Sequence, residues 1–180
     1  MYFLKLLVTL AVVVMFPVSA SALPENSARP EYEVKAAYLY LFAKFVRWPE
    51  ASAPENADYL VIGILGDDPF GPYIDAIESS KPVRGKPIRV KRFSEPERVE
   101  GCHILYVSPS EKKRVGKILK RTAKSNILTV GDTEGFARQG VIINLINVDN
   151  KVRFEINLKA ARQAGIRISS QLSKLAERIY

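Results

Sequence analysis

Two short apolar segments place the tightest limit on what this chain can fold into. Residues 59–65 (YLVIGIL) and 103–107 (HILYV) are rich in β-branched and aromatic residues, with almost no alternation between apolar and polar positions. A strand with one face in water alternates apolar and polar residues, whereas a strand covered on both faces is apolar throughout. The two segments therefore predict a largely parallel sheet that lies between layers of helices.

Further segments supply the helices and strands that such a sheet needs. Helices are predicted at residues 31–48, 72–79, 110–124 and 159–164, and further strands at 88–93, 127–130, 141–148 and 151–158. Asn157 can cap the helix at 159–164, and Asp149-Asn150 is typical of a hairpin turn between the last two strands. The sequence thus predicts one α/β domain with a mixed sheet of about five to six strands, flanked by helices and ending in a C-terminal hairpin and helix.

The apolar residues of the first and last helices predict which faces these helices bury. In the first helix the stripe runs through Val34, Tyr38, Leu41, Phe45 and Trp48. The last helix begins at Ser169 or Ser170, either of which can cap it. Its predicted buried face consists of Leu172, Leu175, Ala176 and Ile179.

The amino terminus has the pattern of an export signal. A weakly basic start is followed by the apolar run LLVTLAVVVMF over residues 6–16 and by small residues at Ala20 and Ala22. This pattern predicts a secretory signal peptide over residues 1–22 with cleavage after Ala22, a mobile lead-in over residues 23–30, and one domain over residues 31–180. The apolar run is shorter than the about 20 residues that a membrane-spanning helix needs.

The chain has a single cysteine and a single histidine, which limits the sites it can form. One cysteine cannot form an internal disulfide or a multi-cysteine metal site, and one histidine leaves little room for a His-ligated metal. Cys102 and His103 are neighbours on a predicted strand, so their side chains point to opposite faces and cannot readily share a proton. We expect Cys102 to be either a buried core residue or part of an intermolecular disulfide. No cofactor and no metal are predicted.

The loops after two predicted strands carry acidic residues that could serve a ligand. Asp67 lies in the segment 63–71 (GILGDDPFG), which lacks the glycine spacing and the lysine of phosphate-binding loops and is expected to be a tight turn. Asp132 follows the strand at 127–130. Because α/β proteins bind ligands beyond the carboxyl ends of their strands, a small-molecule-binding module that uses Asp67 and Asp132 is an alternative function.

The formal net charge of +8 is concentrated in part of the chain. The helix predicted at 110–124 carries seven basic residues and one acidic residue, and its basic surface includes Lys113, Lys117, Lys120 and Arg121. Two interpretations stay open. Such a charge run is usually a solvated helix face, but it could also bind membrane headgroups, a polysaccharide or an acidic protein. Few aromatic residues accompany the basic ones, so no nucleic-acid partner is predicted.

Three stretches of the chain carry a family resemblance. The first is VKAAYLYLFAKFVRWP at residues 34–49, and the second is CHILYVS at 102–108, followed by ILTVGD at 127–132 and GFA at 135–137. The third is VRFEINLKAA at 152–161, followed by AGIRISSQL at 164–172. Together they resemble the YfiR-like family (DUF4154) of periplasmic regulators, in the same order and over nearly all of the chain after the predicted signal peptide.

The resemblance implies a non-enzymatic periplasmic protein. Members of the family repress a membrane-bound diguanylate cyclase by binding its periplasmic sensor region, which lowers cyclic-di-GMP signalling and biofilm formation. An outer-membrane lipoprotein is implied as a further partner that relieves the repression, and a homodimer is one alternative for the oligomeric state. The internal disulfides of the family's type member are out of reach here, because Cys102 has no second cysteine in the chain.

The resemblance also indicates candidate residues for binding a partner or ligand. They lie in its third stretch and are Arg153, Glu155, Asn157, Ser169 and Ser170. Strand alternation would place Phe154 and Ile156 on the opposite face from the first three of them. The alternative is that all five residues build the fold, as helix caps and as part of an ion pair.

Overall fold

The structure is a computed structural model and describes residues 28–180. A seven-stranded mixed sheet runs through this part of the chain. The predicted signal peptide and its cleavage site after Ala22 lie outside the described residues. The strands in chain order are β1 (Val46–Arg47), β2 (Leu60–Leu65), β3 (Ile88–Phe93), β4 (Ile104–Val107), β5 (Leu128–Gly131), β6 (Ile143–Val148), β7 (Lys151–Ile156), β8 (Arg167–Ile168) and β9 (Arg178–Ile179). The main sheet has the order β3-β2-β4-β5-β6-β7-β9, while β1 and β8 pair separately and antiparallel.

Helices cover both faces of the main sheet. They are α1 (Ala28–Phe45), α2 (Pro72–Glu78), α3 (Val115–Thr122), α4 (Phe136–Gln139), α5 (Leu158–Gln163) and α6 (Ser170–Lys174). The larger core lies under α1, α2 and α6, and the smaller core lies under α3 and α4. No helix of the described residues is both long enough and apolar enough to cross a membrane.

The strands in the middle of the sheet contribute side chains to both cores. In β2, Ile62 and Ile64 enter the larger core, while Val61 and Leu65 enter the smaller one. All six residues of β2 and all four of β4 are buried, as their unbroken apolar sequences predicted. The predicted hairpin joins β6 to β7, with Asp149 and Asn150 both at positive φ, as a type I′ turn requires. The predicted α/β class, with its mixed sheet, C-terminal hairpin and helix, is confirmed.

The first helix differs from its prediction in both its ends and its buried face. It runs from Ala28 to Phe45, three residues earlier than predicted at each end, because Val46 and Arg47 leave the helix to pair with β8. Its inward face runs through Leu39, Phe42 and Ala43. Val34, placed on the buried stripe by the prediction, is 44% exposed.

The C-terminal segment is also not the continuous helix that was predicted. Ser169 caps α6 by accepting a hydrogen bond from the Leu172 backbone N–H at 3.1 Å, but the helix ends at Lys174. Residues 178 and 179 then form β9, which pairs in parallel with β7 and gives the sheet its seventh strand. Leu175 and Ile179 are consequently exposed rather than buried.

The helix predicted at residues 110–124 consists of two parts. A 3-10 segment covers Pro109–Arg114, and α3 proper follows it. Pro109 occupies the first helical position, where its missing N–H costs nothing.

His103 joins three strands and a tryptophan at the amino ends of the parallel strands. Its ring Nδ1 accepts a hydrogen bond from the Val61 N–H at 3.0 Å. Its carbonyl oxygen accepts hydrogen bonds from the Leu128 N–H at 2.9 Å and from the Trp48 Nε1–H at 3.2 Å. Burial lowers the pKa of His103 below its ordinary value, so the ring is held neutral and acts as an acceptor.

We expect the protein to lose stability as the pH is lowered from about 7.5, because the unfolded chain binds a proton at His103 more readily than the folded one. This contribution is fully present above the unfolded pKa of about 6.5 and is lost as the pH falls through the lower folded pKa. Urea unfolding across this range measures the loss. His103→Asn offers the Val61 N–H an acceptor that does not titrate, so its stability should depend less on pH. An imidazole pKa of 6.5 or higher in an NMR titration would contradict this account.

Candidate functional site

A cleft of about 500 Å³ opens beside the carboxyl end of β5. Its floor comes from residues 145–147 of β6, and its walls come from α1, the loop after β5, α4, β7 and the chain's last residues. The charged side chains that line it are Glu31, Lys35, Asp132, Glu134, Arg138, Glu155 and Arg178. The cleft thus brings acidic and basic groups from five separate segments into one place.

A buried ion pair between α1 and the loop after β5 forms one side of the cleft. The Lys35 Nζ lies 2.7 Å from the Asp132 Oδ2 and 2.5 Å from the Glu31 Oε1, and the side chains of Lys35 and Asp132 are 6% and 1% exposed. The Tyr32 hydroxyl donates a second hydrogen bond to the Asp132 Oδ2, at 3.0 Å. This pair fixes the first turns of α1 to the carboxyl edge of the sheet.

The protonation states of these groups follow from burial and from their mutual contacts. Burial disfavours the Lys35 ammonium, but its hydrogen bonds to Asp132 and Glu31 outweigh that effect and raise the pKa of Lys35. Burial and the Asp132 charge raise the pKa of Tyr32, which keeps its hydroxyl a donor. The Asp132 Oδ1 has no hydrogen-bond partner among the residues that the structure describes.

Glu155 forms the opposite side of the cleft and holds the C-terminal strand. Its Oε1 accepts hydrogen bonds from the Arg178 Nη1 at 2.7 Å and from the Tyr180 hydroxyl at 3.0 Å. The backbone supports the same contact, since the Tyr180 N–H donates to the Ile156 carbonyl at 2.8 Å. The buried Glu155 carboxylate therefore stabilises the pairing of β9 with β7.

The structure distributes the five predicted binding residues over several places. Glu155 lines the cleft, and Arg153 is exposed further along the same face of β7. Asn157 caps α5 by accepting from the Ala160 N–H at 2.8 Å, and it also donates to the Ala137 carbonyl at 2.7 Å. Ser169 caps α6, and Ser170 is exposed at the first position of that helix. Asn157 and Ser169 thus have clear structural roles.

The two acidic loops predicted to share a ligand site are not adjacent. Asp67 follows β2 and Asp132 follows β5, with β4 lying between these strands. The Asp67 side chain is exposed. Asp68 accepts a hydrogen bond from the Phe70 N–H at 2.8 Å and another from the Arg92 Nε at 2.8 Å, which closes the tight turn. The residues of the cleft therefore include Asp132 but not Asp67.

Cys102 and His103 do not form a nucleophile and base. Cys102 is free and buried, and burial raises the pKa of its thiol to about 11, so it is protonated near neutral pH. Its sulfur packs so close to Gly63 that a Cβ built there would lie 2.8 Å from it. His103 uses its Nδ1 for the backbone. Among residues 28–180, no group of three or more His, Cys, Asp and Glu side chains could hold a metal ion.

The predicted basic surface lies on the outside of the smaller core. Lys113 belongs to the 3-10 segment, and Lys117, Lys120 and Arg121 belong to α3. All four side chains are exposed, while Val115 and Ile118 of the same helix are buried. The surface is separate from the residues that line the cleft.

Sequence reasoning missed the basic partners in the cleft, Lys35, Arg138 and Arg178. Lys35 had a detectable signal, because it lies four and seven residues before the buried Leu39 and Phe42 and therefore on the inward stripe of α1. Arg178 had no such signal, because it reaches Glu155 only once β9 pairs with β7.

The comparisons with known proteins give the chain a family. A family model described as YfiR/HmsC-like matches residues 32–177. The chain belongs to this family. YfiR/HmsC-like proteins are periplasmic and are known as regulators rather than enzymes. A search of curated proteins found no match for this member.

Solved structures with similar folds are distant in sequence from this YfiR/HmsC-like protein. A conserved domain protein from Vibrio cholerae O1 biovar eltor strain N16961 has a TM-score of 0.57 at 11% identity, covering 81% of this chain and 60% of that one. The ABC domain in complex with L-Trp from Streptococcus pneumonia has a TM-score of 0.50 at 12% identity, covering 69% and 56%. The chain thus spans less than two thirds of either structure, and the likeness is one of fold.

We expect Lys35→Met and Asp132→Asn each to destabilise the protein by about 3 kcal/mol, because each leaves a buried polar partner without its mate. The double variant should lose less than the sum of the two, since the second change removes a group that is already unpaired. Chemical unfolding of all four proteins measures this coupling. The control is Arg92→Met, which breaks half-exposed ion pairs with Asp68 and Asp75 and should cost under about 1 kcal/mol. Additive losses for Lys35 and Asp132, or losses no larger than the control's, would contradict the structural role of the pair.

Proposed function

We propose that this protein is a periplasmic, non-enzymatic repressor of a membrane-bound diguanylate cyclase. It binds the periplasmic sensor region of the enzyme, lowers cyclic-di-GMP output and thereby restrains biofilm formation. An outer-membrane lipoprotein is proposed as the partner that relieves the repression. The observation that carries this proposal is the family match over residues 32–177, which includes all but the first four and the last three of the described residues.

The chemistry of the described residues supports a binding function. The single thiol is buried and protonated, the single imidazole is used by the backbone, and the charged groups of the cleft are largely paired with one another. A repressor performs no catalysis, so it needs no reactive thiol, imidazole or charged group. It needs a surface that binds one state of the enzyme more tightly than the other, because a ligand shifts an equilibrium only through such a difference.

The C-terminal edge of the sheet is the surface that we assign to the cyclase. Leu175 and Ile179 are 62% and 46% exposed; Leu175 precedes the edge strand β9, and Ile179 is its last residue. Exposed apolar residues beside an edge strand are typical of a protein-binding surface. Glu155 and Arg178 hold this edge in place from the cleft side, and Arg153 adds an exposed charge on the neighbouring strand.

We expect the protein, immobilised from periplasmic extract, to capture a diguanylate cyclase from detergent-solubilised membranes of the same cells. Leu175→Asp together with Ile179→Asp should weaken this capture at least tenfold, because the change places two charges in an apolar contact. Both side chains are exposed, so the thermal stability of the variant should change little.

Tyr59→Asp is the matched control. Tyr59 is also a partly exposed large side chain, 38% exposed, but it lies next to the amino end of β2, away from β9. The Tyr59→Asp variant should capture the cyclase as well as the wild type does. Wild-type protein that captures no cyclase would contradict the proposed function, and equal losses for both variants would contradict the assignment to the C-terminal edge.

A second candidate function is a small-molecule-binding module, and the cleft gives it a specific place. The exposed Glu134 and Arg138 of the cleft are suited to a ligand that carries both an amine and an acid group. The ABC domain from Streptococcus pneumonia, whose fold is similar, is in complex with L-Trp, and free amino acids are therefore the first compounds to screen. A thermal shift that is lost in Arg138→Gln would support this function, and a flat response across a metabolite library would count against it.

A further inference from the structure

A cluster of exposed basic residues covers the outer side of the smaller core. We define the basic face as Lys112, Lys113, Lys117, Lys120, Arg121 and Lys124, all of which are exposed. They follow one another on the 3-10 segment and α3, and on the residues just after them. The opposite side of this helix buries Val115 and Ile118 in the smaller core, so the charges are held outward by the packing.

Almost no negative charge offsets the basic face from within its own helix. Glu111 is the one acidic residue of segment 109–124. Its side chain is only 2% exposed and is bonded to the Arg114 Nη2 at 2.5 Å. The connecting segment before β4 contains Glu95, Glu97 and Glu100, and the side chains of Glu95 and Glu100 are exposed. Segment 109–124 therefore contributes exposed positive charges with no exposed negative charge of its own.

The neighbouring edge strand extends the positive surface. Arg89 and Lys91 of β3 are exposed and pair in register with Val61 and Gly63 of β2. Val61 points into the smaller core, so Arg89 and Lys91 lie on the same side of the sheet as α3. The Arg89 guanidinium lies 4.3 Å from the centre of the Tyr59 ring, which holds it against the sheet.

We propose that the basic face docks this protein on anionic phospholipid headgroups of the membrane that holds its partner. This inference rests on the proposed function, because a periplasmic repressor of a membrane enzyme must work close to a bilayer surface. Clusters of four to eight basic residues on an amphipathic helix are typical of surfaces that bind anionic headgroups, each charge adding to the attraction.

The composition of the basic face favours lipid over an acidic protein. Five of its six residues are lysines, and Arg121 is its single arginine. Lysine is a strongly hydrated point charge, whereas arginine provides the planar bidentate contacts that protein partners use. The exposed residues between the charges are small, Gly116 and Ala123, and no aromatic residue lies among them. Protein interfaces are depleted in lysine and depend on aromatic and arginine anchors.

The position of the basic face is compatible with simultaneous binding of the cyclase. The basic face lies on the side of the sheet opposite α1, and its extension lies on β3. The C-terminal edge is formed by β9, which is at the other end of the strand order from β3. Docking through the basic face therefore leaves the C-terminal edge accessible to the partner.

The test is binding to phospholipid vesicles, with protein expressed from residue 1 and purified from periplasmic extract. Vesicles of phosphatidylethanolamine with phosphatidylglycerol are compared with vesicles of phosphatidylcholine alone by co-sedimentation. We expect the wild type to bind only the anionic vesicles, and to be released as NaCl is raised from about 0.05 M to about 0.5 M, because salt screens such contacts. Changing Lys112, Lys113, Lys120 and Lys124 together to Gln should lower the partition coefficient at least tenfold.

A matched control removes the same number of charges from the opposite layer of the fold. Lys44, Arg47, Lys81 and Lys174 are exposed on or beside α1, α2 and α6. Changed together to Gln, they should alter vesicle binding less than threefold. Equal losses in the two variants would mean that net charge alone drives the binding, which would overturn the proposal.

Two further results would also overturn the proposal. One is a wild type that does not bind anionic vesicles. The other is a basic-face variant that binds vesicles normally but no longer captures the cyclase, which would assign the basic face to a protein partner instead. If the wild type captures no cyclase, the proposed function is contradicted. The vesicle experiment still decides whether the basic face binds anionic lipid.

Discussion

The buried ion pair between Lys35 and Asp132 is the interaction on which the arrangement of the described domain depends. It joins the first turns of α1 to the carboxyl end of β5, two segments that are 97 residues apart in the chain. A buried charge without its partner is strongly unfavourable, so α1 can pack on the sheet only in the register that brings Lys35 to Asp132. That register places Leu39 and Phe42 in the larger core and leaves Val34 in solvent.

A second buried carboxylate has the same effect at the end of the chain. Glu155 is reached by Arg178 and Tyr180, and it holds β9 against β7. The cleft between the two carboxylates is therefore largely an assembly of structural contacts. The two binding surfaces that we propose lie outside it, at the C-terminal edge of the sheet and on the basic face of α3, which connects β4 to β5.

The sequence was sufficient to predict the elements whose burial leaves a local pattern. The two-sided burial of β2 and β4 follows from their unbroken apolar residues, and the hairpin follows from Asp149-Asn150. The caps at Asn157 and Ser169 follow from their residue types. The family resemblance, carried by three ordered motifs, was confirmed by the family match.

The parts that could not be predicted depend on contacts between distant segments. The early end of α1 is caused by the pairing of β1 with β8, which are more than a hundred residues apart. The end of α6 and the formation of β9 depend on the free edge of β7 and on the Glu155 carboxylate. Apolar periodicity at residues 172–179 suits a helix, but this tertiary pairing overrides it. The cleft residues Arg138 and Arg178 were missed for the same reason.

The central claim is that this protein represses cyclic-di-GMP synthesis, and its most direct test is the amount of that nucleotide in cells. Cells that lack the protein, cells that express it and cells that express the Leu175→Asp, Ile179→Asp variant are compared by mass spectrometry of nucleotide extracts. The account predicts a raised level without the protein, a return to the normal level with the wild type, and no return with the variant. An unchanged level on deletion would contradict the account.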